Sequence, residues 1–251
     1  MKKRILRSII LALLIIVFCI STFMLIFIKI RGNKEQSAFD RIAETVHSSD
    51  QLHGTTDDST QLLSKYIGIY EQNSDFVAWL NIPGTNIDYP VMYTPFEPNH
   101  YLHRAFDGSS SVSGTPFIGY GCTPDSDCII VHGHNMKNGT MFGTLDNYKD
   151  EGFFNEHPTV IFDSLYEQRE YKIFAAVNCE VVPFGEVGYK YYDHGGNLSE
   201  DGFTELVGWL IDNSLYDTGI IPLPDSQILL LSTCSYHNTD GRFVVAAYLE
   251  K

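Results

Sequence analysis

The C-terminal stretch Gln227-Ile-Leu-Leu-Leu-Ser-Thr-Cys234-Ser-Tyr-His-Asn-Thr-Asp-Gly-Arg242-Phe-Val-Val-Ala-Ala-Tyr-Leu249 limits the possible folds most. Two apolar, partly β-branched runs flank a polar connection ending in Asp240-Gly241, which predicts a buried strand, a turn-rich loop and a returning strand. Such a hairpin sets Cys234, at the end of the first strand, beside Arg242, at the start of the second. A thiol near a fixed cation is biased toward thiolate, the form that attacks carbonyls. An arginine, which never deprotonates, can hold an oxyanion once one develops. A half-buried structural cysteine with a surface arginine nearby fits the same residues, and the hairpin alone does not choose between them.

Upstream, the chain reads as many short strands punctuated by Gly, Pro and Asp. Phe76-Val-Ala-Trp-Leu-Asn and the run to Val91 are split by Pro83-Gly84; Pro116-Phe-Ile, Cys128-Ile-Ile-Val, Val160-Ile-Phe and Tyr171 to Val177 follow. This pattern predicts a closed or nearly closed β structure, mainly β with peripheral helices. A late helix is expected where Phe203, Leu206, Val207, Leu210 and Ile211 form an apolar stripe after Ser199-Glu-Asp, ending by Asn213-Ser214. Before the strands, Phe39, Ile42, Ala43 and Val46 repeat at helical spacing. The polar stretch His47 to Ser59 is expected to interrupt them, and a second helix to start near Ser59 with Leu62, Leu63, Tyr66, Ile67 and Tyr70 on one face.

Residues Ser8 to Ile28 are 21 consecutive uncharged residues, enough at helical rise to cross a hydrocarbon core of roughly 30 Å. The flanks lack a small-residue cleavage site, so the segment reads as an uncleaved anchor. Lys2, Lys3, Arg4 and Arg7 before it favour a cytoplasmic N-terminus, with the bulk of the chain outside the cell. The expected layout is a cytoplasmic tail at 1–7, an anchor at 8–28, a helical spacer and cap at 29–74, and one domain at 75–251. Residues up to Arg31 hold six of the 17 basic residues and no acid, leaving eleven basic against 31 acidic groups, −20, on the remainder. So acidic a body excludes nucleic acid phosphates as partners.

Position chooses among nine histidines. A partner for Cys234 belongs at a strand end, and His134 follows the run Ile129-Ile-Val131 in Val131-His-Gly-His134-Asn-Met, where Gly133 lets the backbone bend. His132 competes with it, and two hydrogen-bonded loop histidines fit as well. His-Gly-His supplies two nitrogens, but no nearby acid or thiol stands at a familiar zinc spacing, so no metal or other cofactor is expected. Cys19 lies within the apolar segment, and Cys179 reads as an apolar strand residue. Cys122 and Cys128 bracket Thr-Pro-Asp-Ser-Asp, a loop that a disulfide could close.

Three separate pieces resemble the class B sortases, membrane-anchored cysteine transpeptidases of Gram-positive bacteria. Leu231-Ser-Thr-Cys234 is similar to the family's TLxTC strand end; Gly133-His134-Asn-Met with Gly139-Thr-Met-Phe resembles its histidine segment; Arg242-Phe-Val-Val resembles its arginine-bearing strand. Trp79 to Val91 also looks like the family's early strands. The resemblance covers roughly residues 70 to 250. It implies a closed eight-stranded β-barrel with N-terminal helices and one long helix before the cysteine strand. Cys234 would be the nucleophile, His134 the general acid and base, and Arg242 the oxyanion stabiliser. Ser232, Thr233, Tyr236 and His237 would contact the peptide. The implied substrate is a sorting-signal peptide of a secreted surface protein, LPxTG- or NPxTx-like, and the implied acceptor is an amine of a peptidoglycan precursor.

The sequence departs from the family pattern in three places. Leu230 replaces a Thr, Phe117-Ile-Gly119 replaces a Phe-Leu-Asp-like strand, and Tyr236 stands where some members carry an acid. The rival readings are a pilin-polymerising sortase using a Lys amine, a papain-like peptidase and an anchored non-enzymatic surface-binding domain. Papain-like enzymes place the cysteine before the histidine and on a helix, the reverse of this order. Class C sortases add a lid and a second membrane segment, neither of which is read here.

Overall fold

The computed structural model describes residues 2–52, 61–183, 185–235 and 240–250. The chain forms two compact units, Met1–Ala38 and Phe39–Lys251. The first consists of most of helix α1 (Lys2–Leu52), whose apolar residues from Ile10 to Phe27 are exposed, and α1 is long and apolar enough to cross a membrane.

In the second unit the end of α1 buries Phe39, Ala43 and Val46, as the helical spacing predicts. The expected break at His47 does not occur, since α1 continues to Leu52. No Gly or Pro lies between His47 and Leu52, and the hydroxyls that compete for the backbone elsewhere bond back onto the helix here. Thr45 Oγ1 donates to the Arg41 carbonyl at 2.9 Å, and Ser48 and Ser49 donate to that of Thr45 at 3.1 and 2.8 Å. Helix α2 spans Ser64–Gln72, starting later than the apolar spacing suggests. Residues 53–60, which include the expected start near Ser59, lie outside the described residues.

Eight strands close into a barrel: β1 Phe76–Asn81, β2 Asp88–Met92, β3 Phe117–Ile118, β4 Cys128–His132, β5 Thr159–Ser164, β6 Glu170–Glu180, β7 Gln227–Cys234 and β8 Gly241–Leu249. Their order around the barrel is β1-β2-β3-β4-β7-β8-β6-β5, with β5 returning to β1. The β2–β3 and β4–β7 pairs are parallel and the others antiparallel. Closure removes free strand edges, and the expected mainly-β architecture with peripheral helices is what forms.

Strand β7 is buried from Gln227 to Thr233, on both of its faces. Such a strand must be apolar throughout, which is why Ile228 to Leu231 form an unbroken run and why Leu230 is tolerated. Among the described residues two further α-helices lie outside the barrel, α3 (Glu151–Glu156) and α4 (Glu200–Asp212). Ser199 caps α4 by accepting from the Gly202 amide at 3.1 Å, and Phe203, Leu206, Val207 and Leu210 are its buried stripe. Helix α2 is bolted to β5 by a buried ion pair. Lys65 Nζ lies 2.9 Å from Asp163 Oδ2, which also accepts from the Tyr66 hydroxyl at 2.7 Å.

Candidate active site

The parallel pairing of β4 with β7 decides where the site forms. His132 lies opposite Ser232 as the last pair of that ladder. Beyond it the two chains stay tied: the Gly133 amide donates to the Ser232 carbonyl at 3.3 Å and Thr233 Oγ1 to the Gly133 carbonyl at 2.7 Å. Asn135 Nδ2 then donates to the carbonyl of Cys234 at 2.9 Å and to Asp146 Oδ2 at 2.8 Å. His134 lies between these two ties, so the segment that carries it is fastened to the end of β7, although 99 residues separate Asn135 from the cysteine. Gly133 is required for this turn, because a Cβ there would meet the Phe142 ring at 2.7 Å. The loop closes where the Phe142 amide donates to the His134 carbonyl at 2.9 Å. Met141 adopts φ 51° to complete it, a conformation costly for a residue with a Cβ, and its amide donates to the Tyr89 hydroxyl at 3.1 Å.

The other neighbour of β7 supplies the cation. Cys234 pairs with Arg242 in the antiparallel β7–β8 ladder, as the sequence predicts, and the Ser235 amide donates to the Gly241 carbonyl at 2.9 Å. Arg242 Nη1 donates to the Gly241 carbonyl at 3.0 Å. Its charge reaches the groups around it. The His132 imidazole is pushed down to about 4 by burial and, secondarily, by Arg242, so it is neutral at neutral pH. Cys179, opposite Arg242 on β6, is pushed up to about 12 by burial despite the guanidinium, which makes it a poor nucleophile. Cys234, by contrast, is exposed.

His134 is half-buried, and its Nε2 lies 2.8 Å from the Leu102 carbonyl. A carbonyl only accepts, so Nε2 carries the hydrogen. The His103 ring stacks on that of His134, with centroids 5.4 Å apart. Both contacts come from the polar connection between β2 and β3, which has no period that would have singled out either residue. Asn135 sits directly after His134 in the sequence, but nothing in the motif signals that its amide reaches the cysteine strand.

Ser232 and Thr233 are buried, with 1% and 2% exposure. Thr233 donates to Gly133, and the Ser232 hydroxyl lies 2.7 Å from that of Tyr191; as neighbours on β7 the two side chains point to opposite faces of the sheet. Tyr236 and His237 lie outside the described residues. Gly119, where the family-like strand departs from its pattern, leaves room for His132: a Cβ there would meet His132 Nε2 at 2.7 Å. Cys122 and Cys128, suggested by spacing as a disulfide, are free and buried, and burial pushes both thiols up.

Residues 80–250 match the sortase domain family. The chain is 28% identical to sortase B of Listeria monocytogenes over 221 residues, covering 86% of each chain. It is 21% identical to sortase B of Staphylococcus aureus over 256 residues, covering 100% of this chain and 99% of the relative. The fold is similar to a S. aureus sortase B–substrate complex, with a TM-score of 0.76 and 20% identity over 88% of this chain and 99% of that one. Sortase B from Bacillus anthracis, in complex with AAEK2, superposes with a TM-score of 0.73 and 25% identity over 87% and 97% of the two chains. With a closed eight-stranded barrel, a family match over most of its length and sortase B relatives on both sequence and structural grounds, the chain belongs to the sortases, as a class B cysteine transpeptidase.

Proposed function

We propose that the chain cleaves a C-terminal sorting signal of the LPxTG or NPxTx type after its Thr and transfers the new carboxyl end to an amine of a peptidoglycan precursor. The observation that carries this reading is the meeting of three strand ends: His134 just past β4, Cys234 at the end of β7 and Arg242 near the start of β8. The Cys234 thiolate attacks the Thr carbonyl and forms a C–S bond. The carbonyl electrons move onto oxygen, where the Arg242 guanidinium meets them. The Ser235 amide is already bonded to Gly241, and this reading assigns the oxyanion to Arg242. His134, as imidazolium, gives its proton to the departing amine as the C–N bond breaks, leaving a thioester. It then takes a proton from the acceptor amine that displaces the sulfur.

A substrate complex and a triglycine complex among the similar sortase B structures support a peptide donor and an amine acceptor here. The exposed apolar segment of α1 supports a single-pass anchor, and Lys2, Lys3, Arg4 and Arg7 ahead of it support an N-terminus in the cytoplasm with the barrel outside. The test is to incubate the full chain in detergent micelles with a panel of quenched sorting-motif peptides, adding either a glycine peptide or a Lys side-chain amine. The expected result is cleavage after Thr with transfer to the glycine amine. Transfer to the Lys amine alone would point instead to pilin polymerisation. Absence of cleavage across the whole panel would overturn the proposal.

A further inference from the structure

One short turn between β2 and β3, His100–His103, touches the His134 imidazole twice. The Leu102 carbonyl accepts from Nε2 at 2.8 Å, and the His103 ring lies against the imidazole, 5.4 Å between centroids and 25° between planes. The turn itself is firmly seated. Tyr101 is buried, its hydroxyl donating to Asp75 Oδ2 at 2.8 Å and accepting from Asn73 Nδ2 at 2.8 Å. The Thr115 amide donates to the Tyr101 carbonyl at 3.1 Å and the Ser111 amide to the His103 carbonyl at 3.0 Å. Gly114, at φ +62°, passes so close that a Cβ would meet the Leu102 carbonyl oxygen at 2.5 Å. The carbonyl that accepts from His134 is thus fixed in place.

A single hydrogen bond fixes one ring atom but leaves the plane of the imidazole free to swing about the Nε2···O direction. A second ring packed against the first, 25° from parallel, limits that freedom. We propose that His103 is a positioning residue for the transpeptidation. Its ring sets the plane of His134 while Leu102 retains the Nε2 proton, so that Nδ1 exchanges protons with the leaving and attacking amines. This rests on the reading in which Cys234 and His134 carry the reaction. His103 is itself exposed, so replacing it does not open the core.

The test compares His103→Ala, His103→Phe and Cys234→Ala in the full chain, measured in micelles with a quenched peptide that the native protein cleaves. Misplacing a catalytic group by a fraction of an ångström to 1 Å is costly. His103→Ala should therefore lower kcat by about tenfold with KM changed less than about twofold, while His103→Phe, which keeps a flat ring, should return kcat to within about threefold of native. In ¹⁵N-histidine spectra, neutral His134 should carry its proton on Nε2 in the native chain and in His103→Ala alike, because Leu102 holds that proton in both. Native kcat in His103→Ala, a Phe variant no better than Ala, or a native Nδ1-protonated ring each overturns the proposal. If these fail while Cys234→Ala is inactive, only the His103 role is lost. If Cys234→Ala still cleaves, the catalytic reading falls and this proposal with it.

Discussion

Arg242→Ala is expected to lower kcat/KM roughly 10²- to 10³-fold, the loss seen when one oxyanion donor is removed from a preorganised site. The size follows from the surroundings. Arg242 stands directly across the ladder from Cys234, and the amide that follows the cysteine is occupied by Gly241. Nη1 is held by the Gly241 carbonyl, which aims the fork and leaves its remaining N–H groups for the developing charge. Arg242→Lys should recover little of the loss, because a point charge on a flexible stem cannot both bond Gly241 and face the oxyanion in that geometry. Replacing the arginine by alanine also removes one of the two influences that lower His132, so its NMR titration should move upward from about 4. Steady-state kinetics within about threefold of native for Arg242→Ala would remove the guanidinium from the mechanism.

The second large effect falls on the fold. Asp163→Ala leaves the Lys65 ammonium buried without its carboxylate; the two side chains are only 9% and 3% exposed. Breaking such a pair from one side costs about 3–5 kcal/mol. For a domain of this size that corresponds to a fall in Tm of roughly 6–20 °C. Asp163 also accepts from Tyr66 at 2.7 Å and from the Arg169 amide at 3.1 Å, so its loss releases α2 and the β5–β6 turn together. Removing both charges with Lys65→Met and Asp163→Leu should recover most of the loss. Thermal unfolding of the single and double variants checks this, and a single variant within about 1 °C of native would contradict it.

The hairpin of β7 and β8, the Cys234–Arg242 pairing, the short early strands and α4 with its Ser199 cap were all legible, because each is encoded by neighbouring residues: period-two or unbroken apolar runs, a 3.6-residue stripe, a capping side chain. The continuity of α1 past His47 was not, since a polar run without Gly or Pro has the same composition whether the helix stops there or goes on. What the sequence hides is the non-local pairing. Nothing in Cys128–His132 says that it runs parallel to Gln227–Cys234 in that register, yet this fastens the segment that carries His134 to the strand that ends in Cys234. The Asn135 tie to the Cys234 carbonyl, the Asp146 partner, and the Leu102 and His103 contacts lie in irregular loops and 3₁₀ turns, where no period marks a residue's neighbours.

The most direct measurement is intact-mass analysis of the full chain after brief exposure to a cleavable sorting-motif peptide without any added amine, followed by peptide mapping. The account predicts one covalent adduct with the mass of the peptide up to its Thr, attached at Cys234, released by hydroxylamine and absent from Cys234→Ala. Peptide cleavage by Cys234→Ala, or an adduct mapped to Cys179 or any other residue, would contradict it.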